Sequence, residues 1–194
     1  LAPKIAWVTA LWFVAAGLGG PIGRFLGLKG GKAELFLLTA GLGFGLLSLF
    51  LLALGAAGFF SPKALKVVFC LLSVASLIFW TRWFPRPEAG TEIGTAGQPS
   101  WERPWIWVVL MFLAVSGVLN ILCAAAPEIY YDSLNYHLAL PNLYLLKGRI
   151  LATPHQIFSG LPFGGQILYG LALALSDEKL ASLLHASFGL ASAG

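Results

Sequence analysis

The 194-residue chain is 58% hydrophobic and only 10% charged, with a net charge of +4 and a mean hydropathy of +0.84. A soluble domain covers its surface with about 25% charged residues, so composition excludes one and points to an all-α, polytopic transmembrane helical bundle; the continuous rather than alternating apolar runs exclude a β-barrel. The basic residues are scattered at the ends of apolar runs and form no stripe with interleaved aromatics, which excludes a nucleic-acid partner and marks them as headgroup anchors against membrane lipid.

The first apolar run spans Ile5 to Gly20 and is closed by Pro21. It shares features with a signal peptide, but the further spans that follow favour a membrane helix. The second run, Leu35 to Phe60, is 26 residues long, enough to cross with tilt. Its Gly41, Gly43 and Gly45 suit close helix packing, and with no preceding strand they are no nucleotide motif. Ser61-Pro62 supplies an N-cap and a first-turn proline for a third span, Ala64 to Trp83, with Lys66 snorkelling at its start and Trp80 and Trp83 in the interfacial belt at its end. Residues 84 to 100 form a Pro/Gly linker, and a fourth span, Trp105 to Ala126, opens on the anchors Trp101, Trp105 and Trp107. Two units follow: residues 1–100, with about three spans and a cytoplasmic linker, and residues 101–194, the start of a second membrane region. The chain reads as a fragment of a longer polytopic protein.

Cys70 and Cys123 lie inside apolar runs, without CxxC or zinc spacing, and are expected to be buried thiols acting as small hydrophobes.

PEIYYDSLNYHLALPNLYLLKGRI, residues 127 to 150, is the polar interruption. Leu134, Leu138 and Leu145 fall near one helical face, with Pro141 breaking the run and Gly148 ending it, which suits two short interfacial helices within an external loop, residues 127–160. An irregular segment, TPHQIFSGLPFGG, leads to a fifth span from Ile157 or Leu161 to Ser176; Ser176-Asp177-Glu178-Lys179 then makes a tight turn capping a sixth helix. With the polar loop outside, Arg24, Lys29, Lys32, Arg82, Arg86, Arg103 and Lys179 are cytoplasmic, and Lys4, Lys63, Lys66, Lys147 and Arg149 external, a small bias in the positive-inside sense.

Asp132 sits just beyond the fourth span. On a helix starting there, Asn135 and Tyr136 share its side of the first turn, His137 is close by, and Glu128 is one loop turn earlier. A carboxylate at that boundary can serve as a general base, and Glu128 with Asp132 could share a divalent cation. The structural alternative is strong: Asp132-Ser133 as a plain N-cap, Tyr130, Tyr131, Tyr136 and Tyr144 as belt aromatics, and His137, His155 and His185 as packing residues.

The string YYDSLNYHLALPNLYLLKGRI, followed by SGLPFGGQILYGLALAL, an acidic turn and KLASLLHASFGL, resembles the polytopic glycosyltransferases of the GT-C fold class, in particular bacterial relatives of the protein O-mannosyltransferases and lipopolysaccharide glycosyltransferases. The resemblance covers residues 105 to 194 and is carried by Asp132 to Leu138, with Lys147 to Ile150 and Pro162 to Gly164 in support. It implies a sugar donor on a polyprenyl phosphate, transfer to an acceptor hydroxyl with inversion at the outer, periplasmic or extracellular, face of the inner membrane, and Asp132 as the catalytic base. It further implies that Glu128, Tyr131, Asn135, Tyr136, His137, Lys147, Arg149 and His155 line the substrates. Many members carry a second acid beside the catalytic Asp; here the neighbours are Tyr131 and Ser133, which leaves the cation open. Two rival functions remain, a transporter or flippase gated by the polar stretch, and a non-catalytic membrane scaffold.

Overall fold

A computed structural model describes residues 1–86, 104–127, 129–160 and 164–192, the side chain of Phe158 excepted. Four long helices come first: α1 (Ala2–Phe25), α2 (Lys32–Ala56), α3 (Pro62–Arg82) and α4 (Pro104–Ala125). Each is long and apolar enough to cross a membrane, and the chain is a multi-pass helical membrane protein. After a π-helical turn, Ser133–His137, come α5 (Ala139–Lys147), a 3₁₀ turn (Ile157–Gly160), α6 (Gly164–Leu175) and α7 (Glu178–Ser192).

Small residues spaced four apart set the closest contact. Ala15 and Gly19 of α1 meet Thr39 and Gly43 of α2, and a Cβ on Gly43 would overlap the Ala15 carbonyl oxygen, as one on Gly19 would overlap that of Thr39. With no water to exclude between helices in lipid, backbone approach and dispersion hold such a pair. The buried Thr39 hydroxyl donates to the Leu35 carbonyl at 2.7 Å. Of the three glycines expected at this seam, Gly43 alone makes it; Gly41 and Gly45 meet nothing within 4 Å and open onto a groove. Helix α1 also continues through Pro21 to Phe25 instead of ending there. Proline removes one backbone bond, but unwinding would strand several backbone groups in an apolar medium.

Helix α3 crosses α1 where Gly17 leaves room for Ser76 and Trp80. The Trp80 indole N–H donates to the Phe13 carbonyl at 2.9 Å, and its ring stacks on Phe84 at 4.0 Å. Trp80 is therefore turned into the bundle instead of outward to a belt, while Trp83 is half-exposed beside the Arg24 guanidinium. Ser61 caps α3 as expected, its hydroxyl accepting from the Ala64 N–H at 3.3 Å. Along α4 only Ile106 and Ala124 are buried, so nearly its whole apolar surface faces outward. Cys70 and Cys123 are exposed on their helices and not buried as expected.

Three contacts define one end of the bundle. The Phe60 N–H donates to the Gly148 carbonyl at 2.8 Å, the Ile150 N–H to that of Gly55 at 2.9 Å, and the Lys4 ammonium pairs with Asp177. At the opposite end, the Arg24 guanidinium donates to the Arg82 carbonyl at 2.9 Å. Helix α6 has 12 residues, about 18 Å at 1.5 Å per residue, against a hydrocarbon core of about 30 Å. It starts inside the bundle, where Gly164 accepts from the Ser48 hydroxyl at 2.9 Å, passes Phe60 and Pro141 at Gly170, and ends beside Lys4. Among the described residues the expected fifth span is thus a half-span, running from inside the bundle to the Lys4 end. Helix α7 runs back along α1, with Trp12 donating to Ser187 at 2.8 Å and Phe188 edge-on to Phe44 at 4.9 Å.

This path moves Lys179 from the Arg24 end to the Lys4 end. Among the described residues, Arg24, Lys29, Lys32, Arg82 and Arg86 then face Lys4, Lys63, Lys66, Lys147, Arg149 and Lys179 across the bundle, and the charge bias that oriented the chain disappears.

Candidate functional site

The polar stretch folds inward more than the sequence indicates. Leu140, Pro141, Tyr144 and Leu145 of α5 are buried in the core, and α5 packs on α6. Pro141 falls in the first turn of α5, where its missing N–H costs nothing, so it opens a helix instead of breaking one. Gly148 ends α5 as expected, in the left-handed region at φ 69°. Burial pushes the Tyr144 phenol up, against a hydrogen bond with Thr153 that lowers it.

Just before α5 the chain makes a π turn. The Leu138 N–H bonds the Ser133 carbonyl, five residues back, at 2.9 Å. Such turns are rare and recur where side chains must be re-aimed. Asp132 precedes it in right-handed helical conformation, at φ −64° and ψ −41°, and its side chain makes no cap hydrogen bond. The N-cap explanation of Asp132 therefore fails, and its carboxylate opens onto a cavity.

That cavity, about 410 Å³, lies between the last turns of α4, the π turn, α6 and α7. Asn120 and Cys123 line it from α4, Asp132 and His137 from the π-turn segment, Tyr169 from α6, and His185 from α7. The His137 Nδ1 stands 3.0 Å from the Gln166 amide nitrogen, and the His185 Nδ1 stands 2.6 Å from the Tyr169 hydroxyl. The Tyr136 ring packs on that of His137 at 4.1 Å. His137 titrates below its ordinary value: burial is the main cause, the His185 charge pushes the same way, and Asp132 pulls upward against both. His137 therefore lies within electrostatic reach of both the Asp132 carboxylate and the His185 imidazole.

The other sequence candidates are placed apart from it. Asn135 accepts twice from the Gln156 amide, at 2.9 Å on its carbonyl and 3.0 Å on its side chain, and so ties the 153–160 segment to the π turn. Tyr131, Lys147, Arg149 and His155 are exposed and do not line the cavity. Glu128 lies outside the described residues. Among those described, no group of three or more His, Cys, Asp or Glu side chains gathers at metal-binding distance. Sequence reasoning passed over Tyr169 and read His185 as a packing residue, although an ionisable residue inside an apolar run is itself a signal. A second, mostly apolar groove of about 360 Å³ lies beside Gly41, Gly45, Gly164 and Leu168.

Compared with protein-family models, curated proteins and solved structures, the chain matches none.

Proposed function

We propose that this chain forms the substrate-holding part of a membrane glycosyltransferase, moving a sugar from a polyprenyl-phosphate donor to an acceptor hydroxyl at the outer face of the inner membrane. The observation that carries the reading is Asp132, uncommitted to a cap, opening onto a cavity that His137, Tyr169 and His185 share at one end of the bundle. A lipid-borne donor keeps its tail in the bilayer and presents its head at that level. Asp132 takes the proton of the acceptor hydroxyl as its oxygen bonds to the anomeric carbon. The carbon–oxygen bond to phosphate breaks in the same in-line step, its electron pair leaving with the phosphate, and the configuration inverts. A positioned base contributes about 10²–10⁴-fold to rate.

The test is transfer of labelled sugar from a polyprenyl-phosphate donor by the full-length protein. Asp132→Asn is expected to lower the rate at least 100-fold, the low end of about 10²–10⁴ for a general base, with donor binding retained; an unchanged rate removes the role. Helix α6 favours a second reading, since half-helices beside an ionisable residue such as His185 also build transport sites. Substrate flux in proteoliposomes separates the two, because the enzyme carries none. A scaffold would tolerate Asn and Ala at 132 alike.

A further inference from the structure

Gln166 and Tyr169 lie three residues apart on α6, so their side chains share a face. Each engages the Nδ1 of a histidine from a different element: His137 from the π turn at 3.0 Å and His185 from α7 at 2.6 Å. An amide nitrogen can only donate, so His137 Nδ1 accepts, and the neutral ring carries its proton on Nε2. The Tyr169 hydroxyl can donate to His185 Nδ1, and in that arrangement the His185 proton sits on Nε2 as well. Histidines that bind metals show the opposite arrangement, with Nδ1–H given to a carboxylate or carbonyl so that Nε2 offers a lone pair.

We propose that α6 is a positioning rack that sets His137 and His185 as paired Nε2–H donors for a phosphate oxyanion in the cavity. Asp132 lines the same cavity and repels an anion, which gives the space two poles. Phosphate oxygens seat against the imidazoles, and a hydroxyl, which can donate, seats against the carboxylate. Gln166 and Tyr169 act through the rings they hold. The lipid identity of the phosphate rests on the glycosyltransferase reading; the oxyanion site does not.

The experiment uses the full-length protein in nanodiscs, with sugar-free polyprenyl phosphate, inorganic phosphate and polyprenol as probes. Wild type is expected to bind the polyprenyl phosphate at least tenfold more tightly than polyprenol. Gln166→Glu, whose carboxylate accepts from Nδ1–H and so frees the Nε2 lone pair, is expected to lose tenfold or more; Tyr169→Phe loses severalfold; Asp132→Asn keeps or tightens binding. Nitrogen-15 NMR on labelled histidine supplies the readout that a merely structural role would not move. His137 and His185 should show the Nε2–H tautomer in wild type, and His137 the Nδ1–H tautomer in Gln166→Glu. Inorganic phosphate competing as well as the lipid assigns the site to the free anion and supports the inference. Equal binding of polyprenol, unchanged binding in Gln166→Glu with the tautomer switched, or Nδ1–H tautomers in wild type would overturn it. Phosphate binding of the expected pattern without any sugar transfer would refute the enzyme and leave the oxyanion site standing.

Discussion

Tyr169 and His185 belong to different helices, yet the phenol oxygen lies 2.6 Å from the imidazole Nδ1, joining the half-span α6 to α7 at the wall of the cavity that Asp132 lines. Interhelical hydrogen bonds in membranes average about 0.6 kcal/mol. Removing this one with Tyr169→Phe should cost about that much, and a double-mutant cycle with His185→Ala should recover a coupling of the same size; unfolding in mixed detergent micelles measures both. A coupling near zero would mean that the two rings do not meet.

The α1–α2 seam predicts an asymmetry among neighbouring glycines. Gly43→Val forces a side chain onto the Ala15 carbonyl, and Gly19→Val does the same at Thr39. Each should cost about 1–3 kcal/mol, the usual range for overpacking. Gly41→Ala and Gly45→Ala meet open space and should leave the unfolding midpoint unchanged. Equal effects at all four positions would contradict the seam.

The Lys4–Asp177 pair predicts sidedness. Single cysteines at Lys4 and Lys179, in a chain with Cys70 and Cys123 replaced by Ser, should react with an impermeant maleimide added to the same side of sealed vesicles. A cysteine at Lys32 should react from the other. Opposite labelling of positions 4 and 179 would restore α6 as a full span.

Asp177 also predicts an acid limit. Burial alone would raise its carboxyl, but hydrogen bonds from Lys4 and from the Leu180 N–H, with the Lys4 charge, outweigh burial and hold it below the ordinary carboxylate range. A depressed folded-state value stabilises the fold above the unfolded value, about 3.9 for Asp, and that stability is lost as pH falls through the folded value. Lys4→Met should flatten the stability profile below about pH 4, near that unfolded value.

His137 has the corresponding sign for a base. Burial, reinforced by His185, lowers its affinity for a proton, so the unfolded chain binds more protons near the ordinary value of 6.5. Stability should therefore be full above that value and decline as pH falls below it. His137→Gln should remove the decline. Asp132→Asn, which deletes the upward pull, should move the His137 titration to still lower pH, followed by histidine NMR.

Much of the scaffold was legible because it rests on local signals. The four long spans follow from hydropathy alone, the Ser61 cap from its place before Pro62, and the end of α5 from Gly148, which adopts positive φ. What escaped depends on neighbours. Trp80 has the sequence position of a belt residue, and only Gly17 opposite it lets the indole turn inward. The apolar run before Ser176 has the composition of a span, but the described helix α6 covers only Gly164–Leu175, and the Ser48 hydroxyl meets its first carbonyl inside the bundle. Asp132 and His137 were legible as a polar cluster. Their partners Gln166, Tyr169 and His185 sit in apolar surroundings far along the chain, and only the fold brings them together.

The central claim is that Asp132 and His185 face one cavity across the π turn and α7. Ser133 and Ser182 line it beside them. With Cys70 and Cys123 replaced by Ser, cysteines at 133 and 182 should be joined by a short bifunctional thiol reagent in native membranes, while cysteines at 133 and 81, at opposite ends of the bundle, should not. Failure of the first pair to cross-link, with both cysteines reactive singly, would contradict the account.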